Sequence, residues 1–427
     1  WSVPQIERLA ALAPDPVAWL DDEVGRAPAA GPGRAAVVDD ALDRPAGIAV
    51  VPPAPHPPGP AVGSRPAVGD PVEAVRGAVD RVLEGFLAAR DGEAADLHPA
   101  VGQVTGEVRR LVAAGGKRLR PAFAYWGHRA TGSPHDEGVV QVAAALELLH
   151  TFALLHDDVM DRSDHRRGQP TAQRSLAATH RADALVGDDA WFGVSGAVLA
   201  GDLAFLWATS LLDEAPLASD ARARARAVFT RLCSEVIAGQ YLDLRLAHGD
   251  GDGGGAGEEL AGLVALLKSA RYTVTRPLQV GAALAPASPP GGDPALEAAL
   301  ASYGDAVGTA FQLRDDVLGL FGDPDETGKS CVDDLREGKR TLLVVRALRL
   351  APERDRRVLV ASLGDPELDE ADADRCRRIV AASGAWASVE ALVAARESRA
   401  LRALRRVPEP ARTALSTLAG LASQRRR

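Results

Sequence analysis

Apolar residues recur at three- and four-residue spacing along most of the chain, beginning near Val72. Turn signals such as the Thr-Gly-Ser-Pro stretch at 131–134 separate the runs, whereas strand-like alternation of β-branched residues is nearly absent. This spacing predicts an all-α protein, built as a bundle of long antiparallel helices. The predicted helical runs cover 72–89, 139–160, 196–213, 221–247, 259–285, 295–321, 340–350 and 374–424.

The first seventy or so residues lack this periodicity. Residues 51–66 are dense in proline, and residues 26–36 mix alanine, glycine, proline and arginine. Because proline fixes φ and lacks an amide donor, such stretches form extended linkers without a core of their own. We therefore expect a flexible N-terminal extension over 1–71 and a single domain over 72–427.

Composition and charge narrow the class of function. A hydrophobic fraction of 46% in 427 residues is enough for a large core and excludes wholesale disorder. The net charge of −9 argues against a nucleic-acid-binding protein, which needs a basic surface. Three widely spaced cysteines give neither a disulfide framework nor a zinc pattern. Because no apolar run is judged long enough to span a bilayer and no signal peptide is recognised, we expect a cytoplasmic protein without a membrane span.

The strongest chemical signal is an acidic cluster at the end of an almost wholly apolar run, 142–155. Asp157 and Asp161 stand four residues apart and share one face of a helix, with Asp158 beside them. Carboxylates at the end of a buried helix repel one another unless a positive group lies among them. Oxygen ligands alone favour a hard cation, so the cluster predicts Mg²⁺, with Mn²⁺ as the alternative.

A second acidic cluster, Asp315 and Asp316, follows another apolar run, and Asp243 is a further isolated acid. Two acid-bearing helices that face each other across a bundle would hold several Mg²⁺ ions, which are needed where a polyphosphate is bound or expelled. A glycine-led basic turn at 115–121 suits an anion through both its side chains and its amides. With the other cations, these residues predict a cleft for a diphosphate. Those cations are Arg166, Arg167, Lys268, Lys329 and Lys339.

The motifs and their order resemble the trans-polyprenyl diphosphate synthases, which condense isopentenyl diphosphate with an allylic diphosphate. The matching stretches are GGKRLRP at 115–121, ELLHTFALLHDDVMDRSDHRRGQP at 147–170, GQYLD at 239–243, KSARYT at 268–273, FQLRDDVLGLFGDPDETGKS at 311–330 and DDLREGKRT at 333–341. The resemblance implies the class I isoprenyl diphosphate synthase fold with a central metal and diphosphate cavity. It also implies a homodimer and dimethylallyl, geranyl or farnesyl diphosphate as the primer.

The resemblance also assigns residues. It implies that about three Mg²⁺ ions are held by Asp157, Asp161, Asp243 and Asp315, supported by Asp158 and Asp316. It implies that isopentenyl diphosphate is bound by Lys117, Arg120, His150 and Arg167. It implies that the allylic diphosphate is surrounded by Arg166, Lys268, Lys329 and Lys339, with Ser269 and Gln312 near the reacting carbons.

Two positions depart from the family pattern. The second motif usually reads DDxxD, but here Gly319 stands at the last position, and position 269 is serine where threonine is commoner. Because the last carboxylate is the one least expected to touch metal, and serine keeps the hydroxyl, we expect activity to survive both changes.

Product length should depend on the side chains behind Asp157, because the growing tail runs along that helix. Phe152 lies five residues before Asp157, followed by the small Ala153, with Leu149 further back. A single aromatic residue here resembles the enzymes that stop at C20, so we predict geranylgeranyl diphosphate. The alternative is a C15 or a longer product. In that case another helix supplies the floor, meaning the side chains that stop the growing chain.

Two rival functions share parts of this pattern. A class I terpene cyclase would usually carry an Asn/Ser/Glu metal triad in place of the second acidic cluster, and this chain has no asparagine. A catalytically silent regulatory subunit should have lost aspartates from the first cluster, which keeps all three. Gly319 is the only feature that favours the silent subunit.

Overall fold

A computed structural model describes residues 70–249, 255–286, 293–322 and 332–423. The predicted N-terminal extension therefore falls almost wholly outside the described residues, and the boundary at residue 72 stays a prediction. Among the described residues, the first helix begins at Glu73.

Within these ranges the chain is helical, which confirms the all-α prediction. The first eight helices are α1 Glu73–Leu97, α2 Val101–Ala113, α3 Leu119–Ala130, α4 Glu137–Met160, α5 Ala172–Ala182, α6 Asp189–Asp213, α7 Ser219–Ala247 and α8 Gly255–Val264. A π-helix, Ala265–Thr275, follows α8 directly. The later helices are α9 Arg276–Leu284, α10 Pro294–Phe321, α11 Asp333–Arg336, α12 Leu342–Leu350, α13 Glu353–Ser362, α14 Glu370–Ala382, α15 Ala385–Ala403 and α16 Ala411–Ser423, with a 3₁₀ turn Leu404–Arg406. A short antiparallel ribbon pairs β1 His165–Arg166 with β2 Gln169–Pro170.

Helix α4 runs through the middle of the bundle and packs most extensively against α6. It begins where the Asp136 side chain accepts a hydrogen bond from the Gly138 amide, as a capping aspartate does. Its first half is apolar on all sides because it is enclosed: the apolar side chains from Val139 to Leu149 are fully buried. A second apolar cluster lies among α10, α12, α14 and α15.

Among the described residues, α4 and α6 are each long and apolar enough to cross a membrane by length and composition. The bent pair of α14 and the helix that follows it meets the same criterion as a broken span. The expectation that the chain has no such run is therefore wrong. The apolar residues of α4 mostly form the protein core, because 72% of its most apolar window is buried. In α6 only 44% of that window is buried, so part of its apolar surface is exposed.

The π-helix bears the predicted Lys268 and Ser269. π-Helical turns are rare and occur frequently at functional sites. Helix α7 approaches this segment at Gly239, where an added Cβ would lie 2.7 Å from the backbone nitrogen of Lys268. Glycine at this position therefore allows the two backbones to meet, and it places Asp243, one turn further along α7, beside the Lys268 side chain.

Candidate active site

The first acidic cluster lies at the C-terminal end of α4, and its three carboxylates have different surroundings. Asp158 is 2% exposed, and its Oδ1 accepts hydrogen bonds from Arg166 Nε at 2.7 Å and Nη2 at 2.6 Å. Asp157 Oδ2 lies 3.5 Å from Arg166 Nη2, and Asp157 Oδ1 accepts a bond from Gln240 on α7. Asp158 thus fixes Arg166, whereas Asp157 and Asp161 are partly exposed.

Lys268 joins two of the predicted acids. Its Nζ lies 2.7 Å from Asp243 Oδ2 and 3.3 Å from Asp157 Oδ1. Burial acts to raise the pKa of Asp157, but the charges of Lys268, Arg166 and Lys339 outweigh it and hold that pKa below its usual range. Asp157 is therefore ionised at neutral pH, and α4, α7 and the π-helix meet at one charged contact.

Lys339 is a second lysine that contacts the first acidic cluster. Its Nζ lies 3.4 Å from Asp161 Oδ2 and 3.4 Å from Asp334 Oδ1, and it also pairs with Glu337. Burial acts to lower its pKa, but Asp334, Asp161 and Glu337 raise it well above the ordinary value. Lys339 therefore carries a fixed positive charge beside the first acidic cluster.

The second acidic cluster lies on α10, and its two aspartates are not equivalent. Asp316 is 7% exposed, and burial raises its pKa to about 8. Its Oδ1 accepts a 2.6 Å hydrogen bond from Gln312 Nε2. Gln312, which is predicted to bind substrate, therefore binds Asp316 in the structure. The neighbouring Asp315 is only half-buried.

The basic turn is anchored by Arg118, which sequence reasoning did not select. Arg118 has a left-handed backbone with φ 48° and is buried. Its guanidinium donates 2.8 Å hydrogen bonds to Asp80 on α1 and to Glu147 on α4. The adjacent Lys117 is exposed. The charge of Arg118 is therefore paired with these two acids, and Arg118 holds in place the turn that bears Lys117 and Arg120.

Two of the other predicted isopentenyl diphosphate residues, Arg120 and His150, contact Tyr272 of the π-helix, which was also not selected. His150 Nδ1 lies 3.2 Å from the Tyr272 hydroxyl, and the Arg120 guanidinium lies 4.3 Å from the centre of the Tyr272 ring. Burial and the nearby arginines lower the pKa of His150 well below its ordinary value, so its ring is neutral at pH 7. Arg167 donates to the Gly115 carbonyl, which joins the ribbon to the basic turn.

The structure thus places many of the predicted residues in contact with one another. Lys329 lies outside the described residues, and Ser269 is half-buried next to Lys268. Within the described ranges, no three His, Cys, Asp or Glu side chains converge closely enough to hold a metal ion by themselves. The predicted metal ligands therefore stay a prediction, and lysines lie between the acids instead.

Behind Asp157, aromatic rings from two helices meet. The Phe152 ring is 5.1 Å from that of Phe205 on α6 and 4.8 Å from that of His156. Leu149 is fully buried and Ala153 half-buried. The predicted floor residue therefore has a partner from a second helix, which spacing along α4 alone did not reveal.

Comparison with known proteins identifies the family. A family model described as polyprenyl synthetase matches residues 103–380. A short chain isoprenyl diphosphate synthase of Methanothermobacter thermautotrophicus is 37% identical, over 60% of this chain and 70% of that protein. A geranylfarnesyl diphosphate synthase of Aeropyrum pernix is 34% identical, over 72% of this chain and 88% of that protein. The crystal structure of a geranylgeranyl pyrophosphate synthase from Corynebacterium glutamicum is 38% identical, with a TM-score of 0.76, and the match covers 84% of this chain and 99% of that one.

These matches confirm the predicted isoprenyl diphosphate synthase fold and the predicted enzyme class, a prenyltransferase. The chain belongs to the polyprenyl synthetase family.

Proposed function

We propose that this chain extends allylic diphosphates with isopentenyl diphosphate in a Mg²⁺-dependent head-to-tail condensation. The observation that carries the proposal is that the predicted charged residues fall into two groups by their contacts. One lies among the acids and lysines at the ends of α4, α7 and α10. The other is the basic turn at 115–121 with Arg120 and His150. Two sites of this kind suit two diphosphate substrates bound at the same time.

The donor set supports magnesium. Asp157, Asp161, Asp243 and Asp315 offer carboxylate oxygens alone, which suit Mg²⁺ and would also accept Mn²⁺. Mg²⁺ is usually held by one or two carboxylates together with substrate phosphates, so a site that lacks a ready-made three-ligand cage fits it. The Corynebacterium glutamicum structure is of a complex with isoprenyl diphosphate and magnesium. We propose three Mg²⁺ ions, which would neutralise charge on the departing diphosphate.

The chain's own residues supply fixed charge and position. Lys268, Lys339 and Arg166 are held by carboxylates and stabilise the negative charge that grows on the allylic diphosphate as its C–O bond breaks. Lys117 and Arg120 hold isopentenyl diphosphate so that its double bond attacks the allylic cation. The proton lost afterwards goes to the departing diphosphate, and no covalent enzyme intermediate is formed.

The test of this proposal measures inorganic diphosphate released with Mg²⁺ present. A prenyltransferase releases diphosphate only when dimethylallyl and isopentenyl diphosphate are both present, and a chelator stops the release. Release from an allylic substrate alone would indicate a terpene cyclase. No release under any condition would indicate the silent subunit.

We further propose that elongation stops at geranylgeranyl diphosphate. The support is the contact between the rings of Phe152 and Phe205, on the side of α4 along which we propose that the growing chain runs. Phe152 lies five residues, about 7.5 Å of helix rise, before Asp157. Relatives from Methanosarcina mazei and Saccharolobus solfataricus, 34% and 31% identical, are geranylgeranyl diphosphate synthases.

Replacing Phe152 by alanine should lengthen the product, because it opens the path where the ring now blocks it. Replacing Phe205 should have the same effect if the floor is shared between α4 and α6. The matched control is Phe86→Ala, because Phe86 also packs against α6, at Trp207, away from this path. Product length is read by mass spectrometry. An unchanged product in both Phe152→Ala and Phe205→Ala would move the floor elsewhere.

We propose that the protein is a cytoplasmic homodimer and that the second copy covers the apolar face of α6. Trp191, Val198, Leu199 and Leu206 lie along that face and are exposed in the single chain. Large exposed apolar patches mark interaction surfaces. The face also carries Asp202 and Ser195, which suit a protein partner better than the interior of a bilayer.

Charge on this face should separate the copies. The double variant Leu199→Glu/Leu206→Glu should run as a monomer of 44.5 kDa in light scattering, whereas the unaltered chain should have twice that mass. Leu401→Glu is the control, because Leu401 is equally exposed but lies on α15. A double variant that keeps the doubled mass, or an unaltered chain that is itself monomeric, would contradict this interface.

A further inference from the structure

The last position of the second acidic motif is Gly319, and the space in front of it is filled from another helix. A Cβ added at Gly319 would overlap Oδ2 of Asp334 and lie 3.3 Å from its Cγ. Asp334 belongs to α11, which packs against α10 at this point. A carboxylate thus already occupies the room that a side chain at position 319 would need.

Asp334 is also part of the charged contact at the first motif. Lys339 Nζ lies 3.4 Å from Asp334 Oδ1 and 3.4 Å from Asp161 Oδ2, so this lysine stands between the two acids. The backbone reinforces the arrangement, because the Lys339 amide donates a 3.0 Å hydrogen bond to the Asp334 carbonyl. The charge of Asp334 reaches the second motif as well, where it helps to raise the pKa of Asp316.

We propose that Asp334 replaces the carboxylate missing from the second motif, acting as a positioning residue that holds Lys339 beside Asp161 in the room left by Gly319. The inference rests on the proposed allylic diphosphate site, to which it adds a residue and an explanation of the glycine. Gly319 is therefore more than the loss of one carboxylate from the second motif. Any side chain there would displace the Asp334 carboxylate and weaken its contact with Lys339, which would keep Asp161 and Glu337 as partners.

This inference makes a counterintuitive prediction about the family pattern. Restoring aspartate at position 319 in the presence of Asp334 should weaken the site, because two carboxylates would compete for one space and repel each other. The same aspartate should be beneficial once Asp334 is shortened. A mere loss of one acid would instead make Gly319→Asp neutral or favourable.

The test measures the affinity for dimethylallyl thiolodiphosphate, a slowly reacting allylic analogue, by calorimetry with saturating Mg²⁺. Asp334→Ala, Gly319→Ala and Gly319→Asp should each weaken binding about tenfold, the effect of one charge-assisted contact. Gly319→Asp/Asp334→Ala should bind within about twofold of the unaltered chain, because the carboxylate returns from the other side. Asp333→Ala is the matched control: its side chain is half exposed, pairs with Arg336 and should leave binding unchanged.

Two further measurements separate the explanations. Melting temperatures identify variants that fail to fold, and Asp334→Asn, which keeps the size and removes the charge, should show the same tenfold loss. If the unaltered chain does not bind the analogue with Mg²⁺, the proposed function fails. This inference is overturned if the unaltered chain binds the analogue and Asp334→Ala and Gly319→Ala bind it as tightly. It is also overturned if the double variant binds no more tightly than Gly319→Asp and Asp334→Ala alone.

Discussion

Asp157→Asn should lower kcat by about 100- to 1000-fold, the effect of removing one group that stabilises transition-state charge. Asp157 is the acid that contacts both Arg166 and Lys268, so its charge organises the cations on that wall of the cleft. It is also a proposed magnesium ligand. The measurement is the steady-state rate with dimethylallyl and isopentenyl diphosphate, both saturating, over a range of Mg²⁺ concentrations.

The matched control for this change is Asp164→Asn. Asp164 lies in the loop after α4, but its side chain is more than half exposed and pairs with Arg174, away from the cleft. It should keep the normal rate. A normal rate in Asp157→Asn would remove Asp157 from the metal and charge network, and an equal loss in both variants would indicate damage to the loop rather than to the site.

Lys117→Ala should raise the KM for isopentenyl diphosphate by about tenfold or more, the value of a hydrogen bond to a charged group, and should change the KM for the allylic substrate much less. The reason is that the two sets of cations have different surroundings. Lys117 is exposed on the turn that Arg118 anchors, whereas Lys268 and Lys339 lie among the aspartates. Initial rates with each substrate varied in turn give both constants.

Arg109→Ala controls for the loss of a surface cation near this turn. Arg109 pairs with Asp91 on α1 and is nearly half exposed, so both KM values should stay the same. If Lys117→Ala raised the two KM values equally, the two substrates would share one anion site. The assignment of the basic turn to isopentenyl diphosphate would then be withdrawn.

The helical class could be predicted from sequence because the signal is local. Three- and four-residue spacing is a property of the chain alone, and the run from Val142 to Leu155 is apolar because α4 is enclosed. The spacing of Asp157 and Asp161 likewise needs only helical geometry. The prediction about membrane spans was wrong because α4 reaches the length and mean hydropathy of a spanning helix although Glu147, His150 and Thr151 interrupt its apolar run.

The contacts between helices could not be predicted in this way. Nothing in the sequence near Lys268 states that it will lie between Asp157 and Asp243, because those contacts span 111 and 25 residues. The overlap of Asp334 with the space at Gly319, and the meeting of Phe152 with Phe205, also depend on tertiary packing. For Arg118, the acids that consume its charge are on α1 and α4, so spacing within the basic turn could not distinguish it from Lys117.

The most direct measurement of the central claim is the product formed by the purified chain from isopentenyl diphosphate and Mg²⁺. Dimethylallyl, geranyl and farnesyl diphosphate would be supplied in separate reactions, each with a chelator control, and the product identified by mass spectrometry. We predict a Mg²⁺-dependent C20 diphosphate from all three primers. A C15 or longer product would keep the condensation and discard the Phe152 floor. Failure to extend any of the primers would contradict the account.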